Sequence, residues 1–336
     1  MIIEARAPTR VDLAGGTLDI HPLYLLEDDV WTVNAAIDIP VRVRLSRTRA
    51  GYTVTSRDLG QRVRAPSLDA LPLGGPMDMV CRALRLAGPQ PGLKVVMESS
   101  APPGSGLGAS SALLVALLAA LDRVRRHRRS ADELVHAAWQ LEAQSLRTLT
   151  GRQDYLAAVR GGINAIRFGI GGDQVEPLGA GHSLPRGLQE RLVLAYTGQP
   201  HASGLTNWGV VRAYLDGVPS TVRHLRSIAA VARQVRQALR DGDLDALGPL
   251  IAEEWAHRRE LAPGVSAPAI ERAMATARRH GARSGKACGA GGGGCVLFVV
   301  RPGTKRTCEH ALRSSGFMVL PVRIARRGLR VRATGE

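Results

Sequence analysis

Apolar and polar residues alternate along much of residues 2 to 65. Ile39, Val41, Val43 and Leu45 are interleaved with Pro40, Arg42, Arg44 and Ser46, the period of a strand with one solvated face. Met77 to Ala87 fits a helix closed by Gly88, and Leu93, Val95 and Met97 then alternate until Pro102-Pro103 ends the strand. After a glycine-rich loop, Leu113, Leu114, Leu117, Leu118 and Leu121 predict a helix that is apolar on most sides and therefore nearly buried. It runs to the basic stretch from Arg123 to Arg129. Ser130 with Glu133 three residues on is a capping box, opening a helix with Leu134, Ala138 and Leu141 on one face and a partly exposed Glu142 at its edge.

Ile163 to Phe168 and Leu192 to Tyr196 read as strands, with a polar, glycine-rich connection that places a domain boundary near 175 to 190. The chain is accordingly divided into 1–185 and 186–336. In the second part Ile228, Val231, Ala232, Val235, Ala238 and Leu239 form a helical stripe. Leu244 to Leu261 and Pro268 to His280 predict two more helices. Strand (Cys295 to Val300), helix (Thr304 to Ser315) and strand (Phe317 to Ile324) follow. The order of elements predicts an α+β protein of two domains.

A length of 336 residues with 45% hydrophobic content suits a soluble chain with a large core. Lys plus Arg number 45 against 29 Asp plus Glu, a net charge of +16, yet the lysines are Lys94, Lys286 and Lys305 alone. With so much Ala, Gly and Pro beside the arginine, codon bias explains much of the basicity, and the charge argues only weakly for a nucleic-acid partner. Aromatic residues make up 4% of the chain, few stacking platforms for single strands. The longest uncharged apolar run, Leu107 to Leu121, is shorter than the roughly 18 to 20 residues of a membrane span, which argues against a membrane partner. The first residues lack a signal-peptide core. Cys81, Cys288, Cys295 and Cys308 contain no C-x-x-C pair and read as buried thiols in a reducing cytoplasm.

Pro102-Pro103-Gly104-Ser105-Gly106-Leu107-Gly108-Ala109-Ser110-Ser111-Ala112 lies between a strand and the buried helix. Glycines let the backbone turn its N–H groups toward an anion, and a helix N-terminus adds about half a positive charge, so the loop can cradle phosphate. Gly104, Gly106 and Ala109 also satisfy the dinucleotide spacing G-x-G-x-x-A. The second strand and acidic residue that this fingerprint requires are replaced by Arg123 to Arg129 and another helix. A second cluster, Lys286-Ala287-Cys288-Gly289-Ala290-Gly291-Gly292-Gly293-Gly294-Cys295, runs straight into an apolar strand. It reads either as a linker or as a close backbone approach to a ligand or to the first loop.

Near the start, Arg10-Val11-Asp12-Leu13-Ala14-Gly15-Gly16-Thr17-Leu18-Asp19 sets charges between apolar residues, then two glycines and a carboxylate. These three blocks, in this order and at these separations, resemble the three motifs of the GHMP kinase superfamily (galactokinase, homoserine kinase, mevalonate kinase, phosphomevalonate kinase). The match extends over nearly the whole chain. Gly15-Gly16-Thr17, Gly151-Arg152-Gln153-Asp154 and Gly161-Gly162-Ile163-Asn164 are similar to heptose 7-phosphate kinases and the kinase part of bacterial fucose kinases, which act on the anomeric hydroxyl. Galactokinases carry Gly-Glu-His where this chain has Gly-Gly-Thr.

The resemblance implies a ribosomal-protein-like N-terminal domain, a ferredoxin-like C-terminal domain and a cleft between them. It implies ATP and Mg²⁺ as cofactors, Asp154 and Arg10 as catalytic residues, and Pro103 through Ser111 as the ATP-phosphate loop. Ser110 and Glu142 would hold magnesium; Thr17, Asp19, Asp154, Gly291 and Gly292 would meet the sugar. His21, Arg152 and Lys286 are the candidate donors to a distal phosphate of the acceptor. Two other readings compete: a basic nucleic-acid-binding protein, motivated by the charge, and a catalytically silent sugar sensor. The identity of the sugar, the adenine contacts, the oligomeric state (a homodimer included) and the role of the segment 198–208 are left open.

Overall fold

Ile39, Val41, Val43 and Leu45 are at most 3% exposed, while Asp38, Arg42 and Arg44 of the same strand face solvent, so the sequence alternation is realised as a half-wet strand. A computed structural model describes residues 1–88, 90–179, 183–200 and 203–335, the side chains of 203–206 excepted. The first elements are β1 (Ile2–Ala14), α1 (Leu23–Leu26), β2 (Trp31–Arg47), β3 (Gly51–Ser56), β4 (Gln61–Ala65), α2 (Asp78–Ala87) and β5 (Gly92–Ser99). They are followed by α3 (Ala109–Arg125), α4 (Ala131–Leu146), α5 (Gln153–Arg160), β6 (Ile163–Arg167) and β7 (Gln174–Leu178). The second part contains α6 (Ser183–Arg191), β8 (Leu192–Tyr196), α7 (Ser203–Leu215), α8 (Pro219–Asp241), α9 (Leu247–Arg258) and α10 (Pro268–Arg279). It ends with β9 (Ala282–Ala287), β10 (Cys295–Val300), α11 (Lys305–Ser314), β11 (Met318–Leu320) and β12 (Arg330–Thr334).

The first sheet has the order β12-β1-β2-β5-β3-β4, with β6 joined to β2 and β7 to β6. Its inner face packs on α3, whose Leu114, Leu117, Leu118 and Leu121 are 0–1% exposed, in a core shared with α2, α4 and α5. The capping box forms: Ser130 Oγ accepts from Glu133 N, and the Glu133 carboxylate accepts from Ser130 N at 2.7 Å.

The second sheet has the order β11-β8-β10-β9 and joins its helices as β-α-β-β-α-β, the ferredoxin-like arrangement. All six residues of β10 are buried because both faces of this sheet are covered. Val296, Phe298 and Val300 pack with α10 and α11, whereas Leu297 and Val299 share a core with Val11, Val33 and Ile37 of the first sheet. The expected division at 185 is crossed again at the end of the chain, where β12 pairs with β1 and Gly162 N donates to Ala325 O. Residues 330–334 thus belong to the first sheet. The strand expected over Phe317 to Ile324 is confined to 318–320, since Pro321 has no N–H to continue the ladder. Among the described residues no helix is long and apolar enough to cross a membrane, and all four cysteines are buried and free.

Candidate active site

The loop between β5 and α3 reaches its shape through glycine. Gly104, Gly106 and Gly108 sit at φ of +62°, +74° and +71°, a region costly for residues with a Cβ. Gly108 caps α3, and a Cβ there would stand 2.8 Å from Asp154 Oδ2. Leu107 is fully buried and anchors the loop through its carbonyl, which accepts from Arg10 N at 3.0 Å. The first turn of α3, with Ala109, Ser110 and Ser111, lines the cleft, and a helix N-terminus leaves backbone N–H groups free for an anion.

Arg10 joins this loop to Asp154. Its guanidinium donates from Nε to Asp154 Oδ1 at 2.7 Å, from Nη2 to Oδ2 at 2.8 Å and from Nη1 to Gly106 O at 2.6 Å. Burial opposes the charge on Arg10, but Asp154 and Asp12 outweigh it and raise its pKa. A bidentate pair of this kind fixes the carboxylate plane as well as its position.

Glu142 is 4% exposed, not partly exposed as its place at the edge of the helix face suggests. The cause is a set of three hydroxyls: Ser110 donates to Oε1, while Ser111 and Tyr155 donate to Oε2. Burial raises the pKa of Glu142 against these hydrogen bonds. One carboxylate with two serine hydroxyls, beside a phosphate loop, is the oxygen donor set a hard divalent cation takes. Tyr155 carries no signal in the sequence, because a lone tyrosine on a helix reads as core.

Asp19 lies 3% exposed beside Asp154, and its Oδ2 accepts from Gln153 N at 3.0 Å. Burial, reinforced by the negative charges of Asp154 and Asp12, pushes its pKa up to about 6. Gly151 makes this approach possible, since a Cβ there would lie 1.9 Å from Asp19 Oδ2. Thr17 occupies a left-handed conformation (φ +74°), and its Oγ1 accepts from Arg258 Nη1 at 3.0 Å. Arg258 Nη2 donates to Gly16 O at 2.9 Å, so α9 holds the loop that follows β1. Nothing in the sequence pairs Arg258 with residues 242 positions away.

These groups line one cleft of about 380 Å³, which takes in Arg10, Asp12, Thr17, Asp19, Pro103 to Ser111, Glu142 and Asp154. Apolar side chains of Leu59, Pro76, Met77, Met79 and Met97 also line it. Asn207 of α7 also borders it, which accounts for one end of the 198–208 segment; residues 201 and 202 lie outside the described residues.

Several expected ligand residues lie elsewhere. Lys286 is fully buried and donates to Asp12 Oδ2 and Glu254 Oε1, both at 2.9 Å, so it bridges the two lobes and cannot meet a distal phosphate. Arg152 pairs with Asp173 at 2.7 Å and stacks on Tyr24, 4.6 Å from the ring centre, with Trp139 and Phe168 nearby; it does not line the cleft. His21 is exposed against Tyr24, again outside the cleft. Gly291 and Gly292 fold against Val265 and Gly264, and it is Gly289 and Ala290 that reach the cleft. Gly294 does approach the first glycine loop: a Cβ there would stand 2.8 Å from Ser105 O, which accepts from Cys295 N at 2.8 Å. Of the two readings of this cluster, the close backbone approach to the first loop is the one realised.

Models of two domains match the chain, the GHMP kinases N terminal domain over residues 76–162 and the GHMP kinases C terminal domain over 235–316. A D-glycero-alpha-D-manno-heptose 7-phosphate kinase of Campylobacter jejuni is 27% identical over 326 residues, covering 93% of both chains. A bifunctional fucokinase/GDP-fucose pyrophosphorylase of Arabidopsis thaliana is 27% identical over 92% of this chain, which spans only 31% of that protein. The crystal structure of a D-glycero-D-manno-heptose 1-phosphate kinase from Bacteriodes thetaiotaomicron shares the fold, with a TM-score of 0.80 at 24% identity over 99% of this chain and 100% of that one.

Proposed function

The chain belongs to the GHMP kinase family, and we propose that, as an ATP-dependent sugar kinase, it phosphorylates the anomeric hydroxyl of a heptose 7-phosphate or a related sugar phosphate. The observation that carries this reading is the Arg10–Asp154 pair seated on the phosphate loop, with Asp19 and Thr17 on its other side. In that order the cleft offers a phosphate cradle, a carboxylate at the transfer point and polar groups for an acceptor. The apolar wall of Leu59, Met77, Met79 and Met97 suits an adenine ring.

In the proposed step the anomeric oxygen attacks the γ-phosphorus, an O–P bond forms, and the bond from that phosphorus to the β,γ-bridging oxygen breaks. The hydroxyl proton passes to the Asp154 carboxylate, and ADP leaves. Arg10 orients Asp154 through two hydrogen bonds and ties it to the Gly106 carbonyl of the loop that would receive the phosphates. Backbone N–H groups of the loop and the N-terminus of α3 receive the phosphate oxygens. Glu142, Ser110 and Ser111 would hold Mg²⁺, which when bound supplies charge neutralisation on the β- and γ-phosphates. Arg258 fixes Gly16 and Thr17, and so the acceptor side of the cleft. The buried free cysteines suit a reducing, cytoplasmic setting.

The second reading, a free-sugar 1-kinase of the fucose type, is favoured by one feature: among the described residues the cations lining the cleft are Arg10 and Arg258, both engaged by protein groups. An ADP-release assay across mannose- and heptose-type sugars, each with and without its terminal phosphate, separates the two. The sugar-phosphate reading expects kcat/KM about ten- to a hundredfold higher for the phosphorylated acceptor, the worth of one charge-assisted hydrogen bond. Equal efficiency on the free sugar overturns it.

A further inference from the structure

Helix α9 presents two faces with different duties. Glu254 and Arg258 turn inward, to Lys286 and to the loop of Gly16 and Thr17, whereas Trp255, Ala256 and, just past the helix end, Arg259 line a second cavity of about 390 Å³ bounded by α10 and β9. Its apolar surface comes from Trp255, Met274 and Phe298. Gly285 leaves room for the Phe298 ring, since a Cβ there would lie 2.6 Å from it. The charged lining is lopsided: Arg259, Arg278 and Arg283 stand against Glu260. Arg278 has no partner among the described residues, and Arg259 and Arg283 reach carboxylates only at 3.4 to 3.8 Å. Two of the lining residues also carry buried polar atoms without a partner among the described residues, Trp255 Nε1 and Ser284 Oγ, and Trp255 is only 5% exposed.

An indole N–H can only donate, a guanidinium can only donate, and a hydroxyl can donate, so the free hydrogen-bonding capacity here is donor-rich. A buried donor left unpaired is costly, and excess like charge adds to that cost. Both are relieved by oxygen acceptors bearing negative charge. We propose that this cavity binds a small organic anion, with its apolar body against Trp255, Met274 and Phe298 and its anionic oxygens on Arg278, Arg259 and Arg283. The volume is in the range of small-molecule pockets, and the mixture of an apolar floor with a few convergent polar groups is their usual composition.

Isothermal titration of the whole protein with 1-naphthyl phosphate, 1-naphthol and inorganic phosphate tests this, in the presence of excess non-hydrolysable ATP analogue to cover the phosphate loop. The expected result is one site for 1-naphthyl phosphate, with the neutral naphthol and inorganic phosphate each at least about tenfold weaker. Arg278→Glu and Ala256→Phe, both at exposed positions outside the catalytic cleft, should each weaken 1-naphthyl phosphate at least about tenfold. The two variants act by different means, charge reversal and obstruction, so a folding defect in one leaves the other decisive. Absence of binding at millimolar probe, inorganic phosphate binding as well as the naphthyl ester, or affinity unchanged in both variants overturns the proposal.

Discussion

Replacing Lys286 by Met separates a lysine that joins the lobes from one that serves a ligand. Its ammonium donates to Asp12 on β1 and Glu254 on α9 at 2.9 Å each, and all three side chains are at most 2% exposed. Among the described residues Asp12 Oδ1 and Glu254 Oε2 accept no hydrogen bond, so the group has no spare donor to compensate. In Lys286→Met the two carboxylates share Arg258, which already stands 3.9 Å from Asp12. Removing one member of a buried ion pair costs about 3–5 kcal/mol, a large part of the roughly 5–15 kcal/mol that holds a typical native protein together. Burial pushes the pKa of Asp12 up, but Lys286 and Arg258 hold it below the ordinary carboxylate value. In the wild type, Asp12 therefore contributes stability above the ordinary carboxylate pKa, lost as pH falls through its depressed folded value. Without Lys286 burial dominates, the folded pKa rises, and Asp12 costs stability as pH rises instead. The deficit of the variant should thus be largest near pH 8 and shrink toward pH 4. Urea unfolding at both pH values measures it, and Glu254→Gln in the same background should restore part of the loss. An unchanged unfolding free energy, together with an acceptor KM raised tenfold or more, would refute the reasoning and return Lys286 to the ligand.

Asp154→Asn should retain nucleotide binding and lose at least about a hundredfold in kcat, the scale of a lost proton acceptor; near-normal turnover removes Asp154 from the chemistry. Glu142→Gln should raise the Mg²⁺ concentration giving half-maximal activity, read from magnesium titrations, and an unchanged dependence would make Glu142 a purely structural acceptor for its three hydroxyls. Asp19, with a pKa of about 6, should give kcat/KM for the acceptor an acid limb near that value, absent in Asp19→Asn. Because its folded pKa is raised, ionising it opposes folding, so stability should fall by about 2 kcal/mol between pH 4 and 6 in the wild type and less in Asp19→Asn.

Local periodicity carried the elements into the fold faithfully where the physics is local. The capping box at Ser130, the leucine face of α3 and the alternation of β2 are each decided within a few turns or pairs of residues. The return of β12 to β1 is not of this kind. Ile2 pairs with Thr334 across nearly the whole chain, and Arg330 to Thr334 look from their composition like one more basic tail. Pairing partners that distant are chosen by which sheet edge remains open, a property of the assembled first sheet.

The site divides along the same line. Glycines mark their positions because φ near +70° excludes most other residues, so the bends of the loop before α3 are legible residue by residue. Asp154 and Arg10 are proposed by matching a family pattern rather than by spacing, and the burial of Glu142 is not legible in the sequence. Arg258 and Tyr155 were invisible, and Lys286 was misread, for a single physical reason. Each is a polar group whose partner is brought up by tertiary packing: Thr17 for Arg258, Glu142 for Tyr155, Asp12 and Glu254 for Lys286. On the chain a lysine beside a glycine run points to phosphate, because anion recognition is what such neighbours usually serve. In the folded protein the strand that carries Lys286 is sealed by α9, and a buried cation goes to the nearest buried carboxylates. That same helix carries Arg258 to the loop of Gly16 and Thr17, so the ion group which stabilises the contact between lobes also sets where Thr17, proposed to meet the acceptor, stands in the cleft. A weakened Lys286–Asp12 contact should therefore reach catalysis through acceptor KM only to the extent that α9 moves, and its first effect is on stability.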